Sequence, residues 1–227
     1  MNRELYIQTI RKECAFLEDE GYTFKEVDMN IFYTKDTNDK GFRIAFSWLE
    51  YGDKFVTHGL TAEKRFNIVE QEIQKILDGD LNNYYTIYKK PVADVDHIPQ
   101  DLEYEMRGEN FRFVSNTVKD IQLFSAFVKS FYQNDVVSFF NNYNEFIDVA
   151  KSYENLEREK ISTLIINTGT DIFYRELVIK NKSNAHDEND FVKMVTSELE
   201  PMKSNSTFGK ILENFKILHN NLQEKAV

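Results

Sequence analysis

Apolar residues recur along this chain with two different periods, and the change between them organises the reading. From Arg3 to Glu20, Leu5, Ile10, Cys14 and Leu17 fall on one helical face, and Gly21 follows where a left-handed cap is cheap. The period then drops to two. Val27, Met29, Ile31 and Tyr33 alternate with Asp28, Asn30 and Phe32, which predicts a strand. Asp36-Thr37-Asn38-Asp39-Lys40-Gly41 is dense in turn formers, and Phe42, Ile44, Phe46 and Trp48 alternate after it, so the two runs form a hairpin. Tyr51-Gly52-Asp53 makes a second turn into a short strand from Lys54 to Thr57. Thr61 is then placed to cap a helix carrying Phe66, Val69, Ile73 and Ile76, which ends at Asp78-Gly79. Tyr84 to Tyr88 reads as a returning strand.

Beyond residue 110 the helical period dominates. Ile121, Phe124, Val128 and Phe131 form one stripe, Gln133-Asn134-Asp135 interrupts it, and Val136, Phe140, Tyr143, Ile147 and Ala150 form a second. Helical stretches follow over 157–166 and 171–180 around Asn167-Thr168-Gly169, then over 189–200 up to Pro201. Phe208, Ile211, Phe215, Leu218 and Leu222 mark a last helix. The expected fold class is α+β. Residues 1–90 form a module ordered helix, three strands, helix, strand; residues 91–110 form an acidic linker or hinge; residues 111–227 form an all-α bundle of five or six helices.

The linker is where charge enters the picture. Asp94, Asp96, Asp101, Glu103, Glu105 and Glu109 face Arg107 alone, six carboxylates against one cation and a local balance of −5, half of the chain's −10. A net charge of that sign opposes nucleic-acid binding, which rests on Lys and Arg contacts to phosphates, and favours a basic protein partner. The lone Cys14 cannot form an intramolecular disulfide and reads as a buried structural thiol. No apolar run near the first residues resembles a secretory signal and no stretch is long enough for a membrane span, so the expected compartment is the cytoplasm. Abundant Lys and Asn with scarce Ala and Gly suggest an AT-rich bacterial or phage genome.

No motif of a named chemistry is complete in the chain. The order of the first module is similar to the core of restriction-endonuclease-like nucleases, which need an Asp and a Glu-x-Lys on adjacent strands to hold a metal and activate water. The third strand, Lys54-Phe55-Val56-Thr57-His58, has no such motif, and Glu50 with Asp53-Lys54 in a turn is a poor substitute. Asp36 to Gly41 opens like a calcium loop, but position five is Lys40 and position twelve is Ser47 where oxygen ligands are required. His186-Asp187 matches a metal-phosphohydrolase dipeptide, yet His58, His97 and His219 supply no ligand pattern with it, and Asp187 reads as a helix cap. There is no Gly-x-Ser-x-Gly elbow and no phosphate-cradling Gly-rich loop. Asp171, Tyr174, Arg175 and Glu176 form the densest polar cluster of the bundle and read as a buried ion network first and a binding spot second.

The expectation is therefore no catalytic residues, no metal and no cofactor. The leading functional reading is a non-enzymatic, protein-binding inhibitor of immunity or phage counter-defence type. Asp94, Asp96, Asp101, Glu103, Glu105 and Glu109 steer a basic toxin or nuclease, and Tyr104 and Met106 anchor it. The alternatives are a degenerate, metal-dependent nuclease-like enzyme using the first module, and an oligomeric structural or regulatory protein pairing through the last helix.

Overall fold

The computed structural model describes residues 1–77, 80–91, 98–107, 110–154, 156, 158–166 and 171–224. The fold is α+β, as its patterning predicts. The elements run α1 (Arg3–Glu13), α2 (Ala15–Asp19), β1 (Thr23–Val27), β2 (Asn30–Asp36), β3 (Lys40–Tyr51), β4 (Lys54–Phe66), α3 (Asn67–Gln74), β5 (Ile87–Lys89), β6 (Tyr104–Arg107) and β7 (Asn110–Ser115). They continue with α4 (Val118–Phe131), α5 (Val137–Asn142), α6 (Phe146–Glu154), α7 (Asp171–Lys182), α8 (Glu188–Leu199) and α9 (Ser206–Glu224). The sheet has seven strands in the order β1-β2-β3-β4-β7-β6, with β5 pairing β4 off that path.

Contacts divide the chain into two compact units built from interleaved segments, Met1–Lys64 with Lys89–Asn142, and Arg65–Tyr88 with Tyr143–Val227. The sequence expectation placed its divisions at 90 and 110. Residues 104–107 and 110–115 instead form the β6–β7 hairpin, so the end of the expected linker, and the first residues of the expected bundle, belong to the sheet. The reason is long-range: β7 pairs β4, with Phe55 opposite Ser115 and His58 opposite Arg112, a partner 54 to 60 residues earlier that no local window contains.

In the first unit one face of the sheet is covered by helices. Ile44, Phe46 and Trp48 of β3 and Phe113 of β7 point to that face and are buried. Phe124 of α4 packs its ring 5.2 Å from Phe46 and 5.1 Å from Phe113, and Phe127 lies 5.0 Å from Phe113. Tyr6 of α1 stacks on Phe55 at 4.4 Å, and its hydroxyl meets that of Thr57 at 2.5 Å. The opposite face is polar: Arg43 pairs with Glu63 and lies over the Phe32 ring, and the Ser47 hydroxyl donates to Asn30. α4 starts at a capping box in which Thr117 accepts from the Asp120 amide while Asp120 accepts from the amides of Asn116 and Thr117 at 2.8 Å each.

Several local expectations shift. The first helix breaks at Cys14, and its buried face carries Tyr6 while Leu5 is exposed. Val27 and Met29 do not belong to the strand that carries Ile31 and Tyr33; Val27 ends β1 on its exposed face, Met29 follows in the tight turn at Asp28, whose φ of +55° is the left-handed region, and both are exposed. β4 runs on through Thr61, which therefore caps nothing, and α3 begins at Asn67. Gln133-Asn134-Asp135 do not end a helix; they lie in a π-helical turn, Tyr132–Val136, that joins α4 to α5. The residues 78–79 and 167–169, where breaks were expected, lie outside the described residues.

In the second unit α9 buries Ile211, Phe215, Leu218 and Leu222 as its stripe predicts, against α7 and α8 of the same unit. β5 is tied to the segment after α6, with the Tyr88 amide donating to Leu164 at 2.9 Å and the Ile166 amide to Thr86 at 3.1 Å. Beneath it sits a buried ion pair: Glu70 of α3 accepts from Arg175 of α7 at 3.0 and 3.1 Å. Among the described helices none is long and apolar enough to cross a membrane.

Candidate protein-binding edge

β6 is the last strand of the sheet path, and among the described residues no strand pairs its outer edge. Its register on β7 sets Tyr104 opposite Phe113, Glu105 opposite Arg112, Met106 opposite Phe111 and Arg107 opposite Asn110. One step earlier, the Glu103 carbonyl accepts from the Val114 amide at 3.0 Å. In an antiparallel pair the residues alternate between those that exchange backbone bonds with the neighbour and those that turn away from it. Glu103, Glu105 and Arg107 are thus the set that bonds β7. Tyr104 and Met106 direct their amide and carbonyl groups outward, which makes two donors and two acceptors on the open edge.

Side chains follow the same alternation on the two faces. Tyr104 and Met106 lie on the helix-covered face, because their cross-strand neighbours Phe113 and Phe111 do. The Tyr104 ring is 5.6 Å from Phe111 and 6.3 Å from Phe113, so it extends the aromatic layer toward the sheet edge. Tyr104 stays 46% exposed and Met106 38%. Glu103, Glu105 and Arg107 are exposed on the polar face. An edge of this kind offers backbone bonding, an apolar strip and a charged strip in parallel.

The predicted site residues are thus partly brought together. Glu103, Tyr104, Glu105 and Met106 share one edge, and Asp101 lies in the turn before it. Asp94, Asp96 and Glu109 lie outside the described residues. The carboxylates that are described do not stand alone: Glu105 is 3.2 Å from Arg112 and 3.4 Å from Arg107, and Asp101 is 3.3 Å from Lys119. Arg112 and Lys119 come from β7 and α4, so their part in the site was invisible until the hairpin and the following helix were placed.

The other candidates lie in turns and beside helix ends. Glu50, Asp53 and Lys54 are exposed around the β3–β4 turn, where Gly52 has φ +65°. Asp36 to Gly41 is the β2–β3 turn, closed by the Thr37 amide donating to Lys40 at 2.8 Å. Asp187 precedes α8, but its side chain does not cap the helix. It takes the Lys180 ammonium at 2.5 Å, and burial, which raises its pKa, is outweighed by that hydrogen bond and charge, leaving the carboxyl below its usual range. Lys180 also lies 4.8 Å over Tyr153 in the wall of an open cavity of about 330 Å³. Among the described residues no group of three or more His, Cys, Asp and Glu side chains is gathered. Cys14 is buried beside Ser125 and Tyr33, and burial pushes its thiol up to about 12.

Comparison with protein-family models, with curated proteins and with solved structures finds no match to this chain.

Proposed function

We propose that this chain is a non-enzymatic protein-binding module of inhibitor type, in an immunity or phage counter-defence setting, and that it takes a basic protein partner as an added strand along β6. The observation that carries the reading is the outward backbone of Tyr104 and Met106 flanked by their own exposed side chains. Main-chain bonds to such an edge supply affinity, and the alternate side chains supply selection. The net charge of −10 favours approach of a basic partner, and Glu103 and Glu105 present carboxylates beside the edge. Arg112, largely covered itself, steadies Glu105, which favours a lower ordering cost on binding.

The test begins with capture of partners at low salt, followed by kinetics with the purified partner. Met106→Pro deletes one outward amide donor and leaves the bonds from Glu105 and Arg107 to β7 intact. It is expected to abolish binding while the fold persists by circular dichroism. Tyr104→Ala is expected to cost about 2 kcal/mol or more of affinity, the scale of an aromatic anchor. Glu103→Lys with Glu105→Lys is expected to slow association and leave dissociation nearly unchanged. A partner that binds all three variants like the parent would refute the edge as the site, and an acidic partner would refute the charge argument.

A further inference from the structure

We infer that the same β6 edge pairs with that of a second copy of this chain, antiparallel and centred on Glu105, so that two sheets join into one. The inference uses the edge geometry alone and stands whether or not a basic partner binds there. Only residues whose backbone groups face outward can bond across a new pairing, and on β6 these are Tyr104 and Met106. A two-fold axis through Glu105 sets Tyr104 opposite Met106 of the other copy, and Met106 opposite its Tyr104. Both are bonding positions, and together they close four backbone hydrogen bonds.

The side chains in that register are complementary on each face. On the apolar face each Tyr104 ring meets a methionine of the other copy, a thioether-to-aromatic contact that covers two of the exposed apolar residues of the unit. On the polar face Glu103 falls opposite Arg107 of the other copy, twice, once on each side of the axis. The single mismatch is Glu105 against itself, and each copy supplies Arg112 at 3.2 Å and Arg107 at 3.4 Å to neutralise it. A register shifted by one residue would oppose outward backbone to inward backbone and close no bonds. Moving the axis to Tyr104 would set Glu103 against Glu105, and moving it to Met106 would set Glu105 opposite Arg107 but keep, among the strand's residues, only the Met106 pair and its two backbone bonds.

Such a contact is isologous and small, since each copy contributes one short strand, so the dimer dissociates on dilution. It also covers the groups assigned above to a partner strand. Self-association would therefore hold the edge closed at high concentration, and the partner would have to displace the second copy.

Sedimentation velocity from low to high micromolar concentration tests this with the full chain. The expected result is a mass rising from 26.9 kDa toward twice that value. Arg107→Glu and Glu103→Arg should each weaken the dimer roughly tenfold, since two cross-strand ion pairs become like-charge pairs. The combined Glu103→Arg/Arg107→Glu chain should recover the parental affinity, which a merely structural role for either residue would not produce. Glu105→Gln should tighten the dimer by removing the central repulsion. Circular dichroism on every variant confirms the fold. A mass of 26.9 kDa at every concentration overturns the inference. So does a dimer that survives Met106→Pro, or a combined chain no tighter than its single variants. A binding partner that occupies β6 while the free chain stays monomeric would overturn the inference and leave the functional proposal standing.

Discussion

Arg175 is 1% exposed and Glu70 is not exposed at all, and their pairing is the most consequential polar contact in the second unit. Glu70 accepts two bonds from Arg175 and a third from the Thr86 hydroxyl at 2.8 Å, and Thr86 in turn accepts from the Phe66 amide at 3.1 Å. Arg175 also donates to the Ile166 carbonyl at 3.0 Å. One network thus ties α3, the approach to β5 and α7. Arg175→Met fits a similar volume but leaves a carboxylate buried with only the Thr86 hydroxyl, and breaking such a pair from one side costs about 3 to 5 kcal/mol. Glu70→Met takes from the buried guanidinium its two bonds to the carboxylate and should cost a similar amount. The double variant, Glu70→Met with Arg175→Met, removes both charges together and should be markedly more stable than either single variant, because the desolvation that the pair had to offset is gone. Urea unfolding with linear extrapolation measures all four corners of the cycle. A loss under about 1 kcal/mol for either single variant would refute the claim that the pair is desolvated, as would a double variant whose loss equals the sum of the singles.

Asp120→Ala removes the acceptor for two amides at the start of α4 and should cost about 0.5 to 2 kcal/mol, read as a lower urea midpoint with an unchanged slope. Cys14 should resist thiol reagents in the native chain and react at once in denaturant, since burial holds its thiol near 12; rapid native labelling would contradict the burial of the α1–α2 junction. His58 is held below its ordinary 6.5 by burial first and then by the charge of Arg112, which lies directly opposite it. The unfolded chain therefore binds the proton more readily, so this group's contribution to stability is full above about 6.5 and declines as pH falls below it. His58→Gln should flatten the urea midpoint between pH 7.5 and 5 relative to the parent, and an identical slope in both chains would exclude the effect.

Much of the secondary structure was written locally. Alternation at Phe42, Ile44, Phe46 and Trp48 marks β3, and the spacing of Ile211, Phe215, Leu218 and Leu222 marks α9, because a strand or a helix that buries one face must repeat its apolar residues at its own period. Cys14 was legible as a core residue for the same reason. Arg175 was flagged by its neighbours Asp171, Tyr174 and Glu176, but its partner Glu70 lies 105 positions earlier, and only folding brings the two side chains together. The acidic segment shows the same division. Its charge could be counted from the chain, and Tyr104 and Met106 could be named as anchors. That these residues form an edge strand depended on β7 finding β4, and which of their backbone groups face outward depended on the Glu103–Val114 bond. Composition and period act within a few residues. Strand pairing, the placing of Arg112 beside Glu105 and the open edge of the sheet arise between elements that only folding brings together, so the tertiary structure decided them.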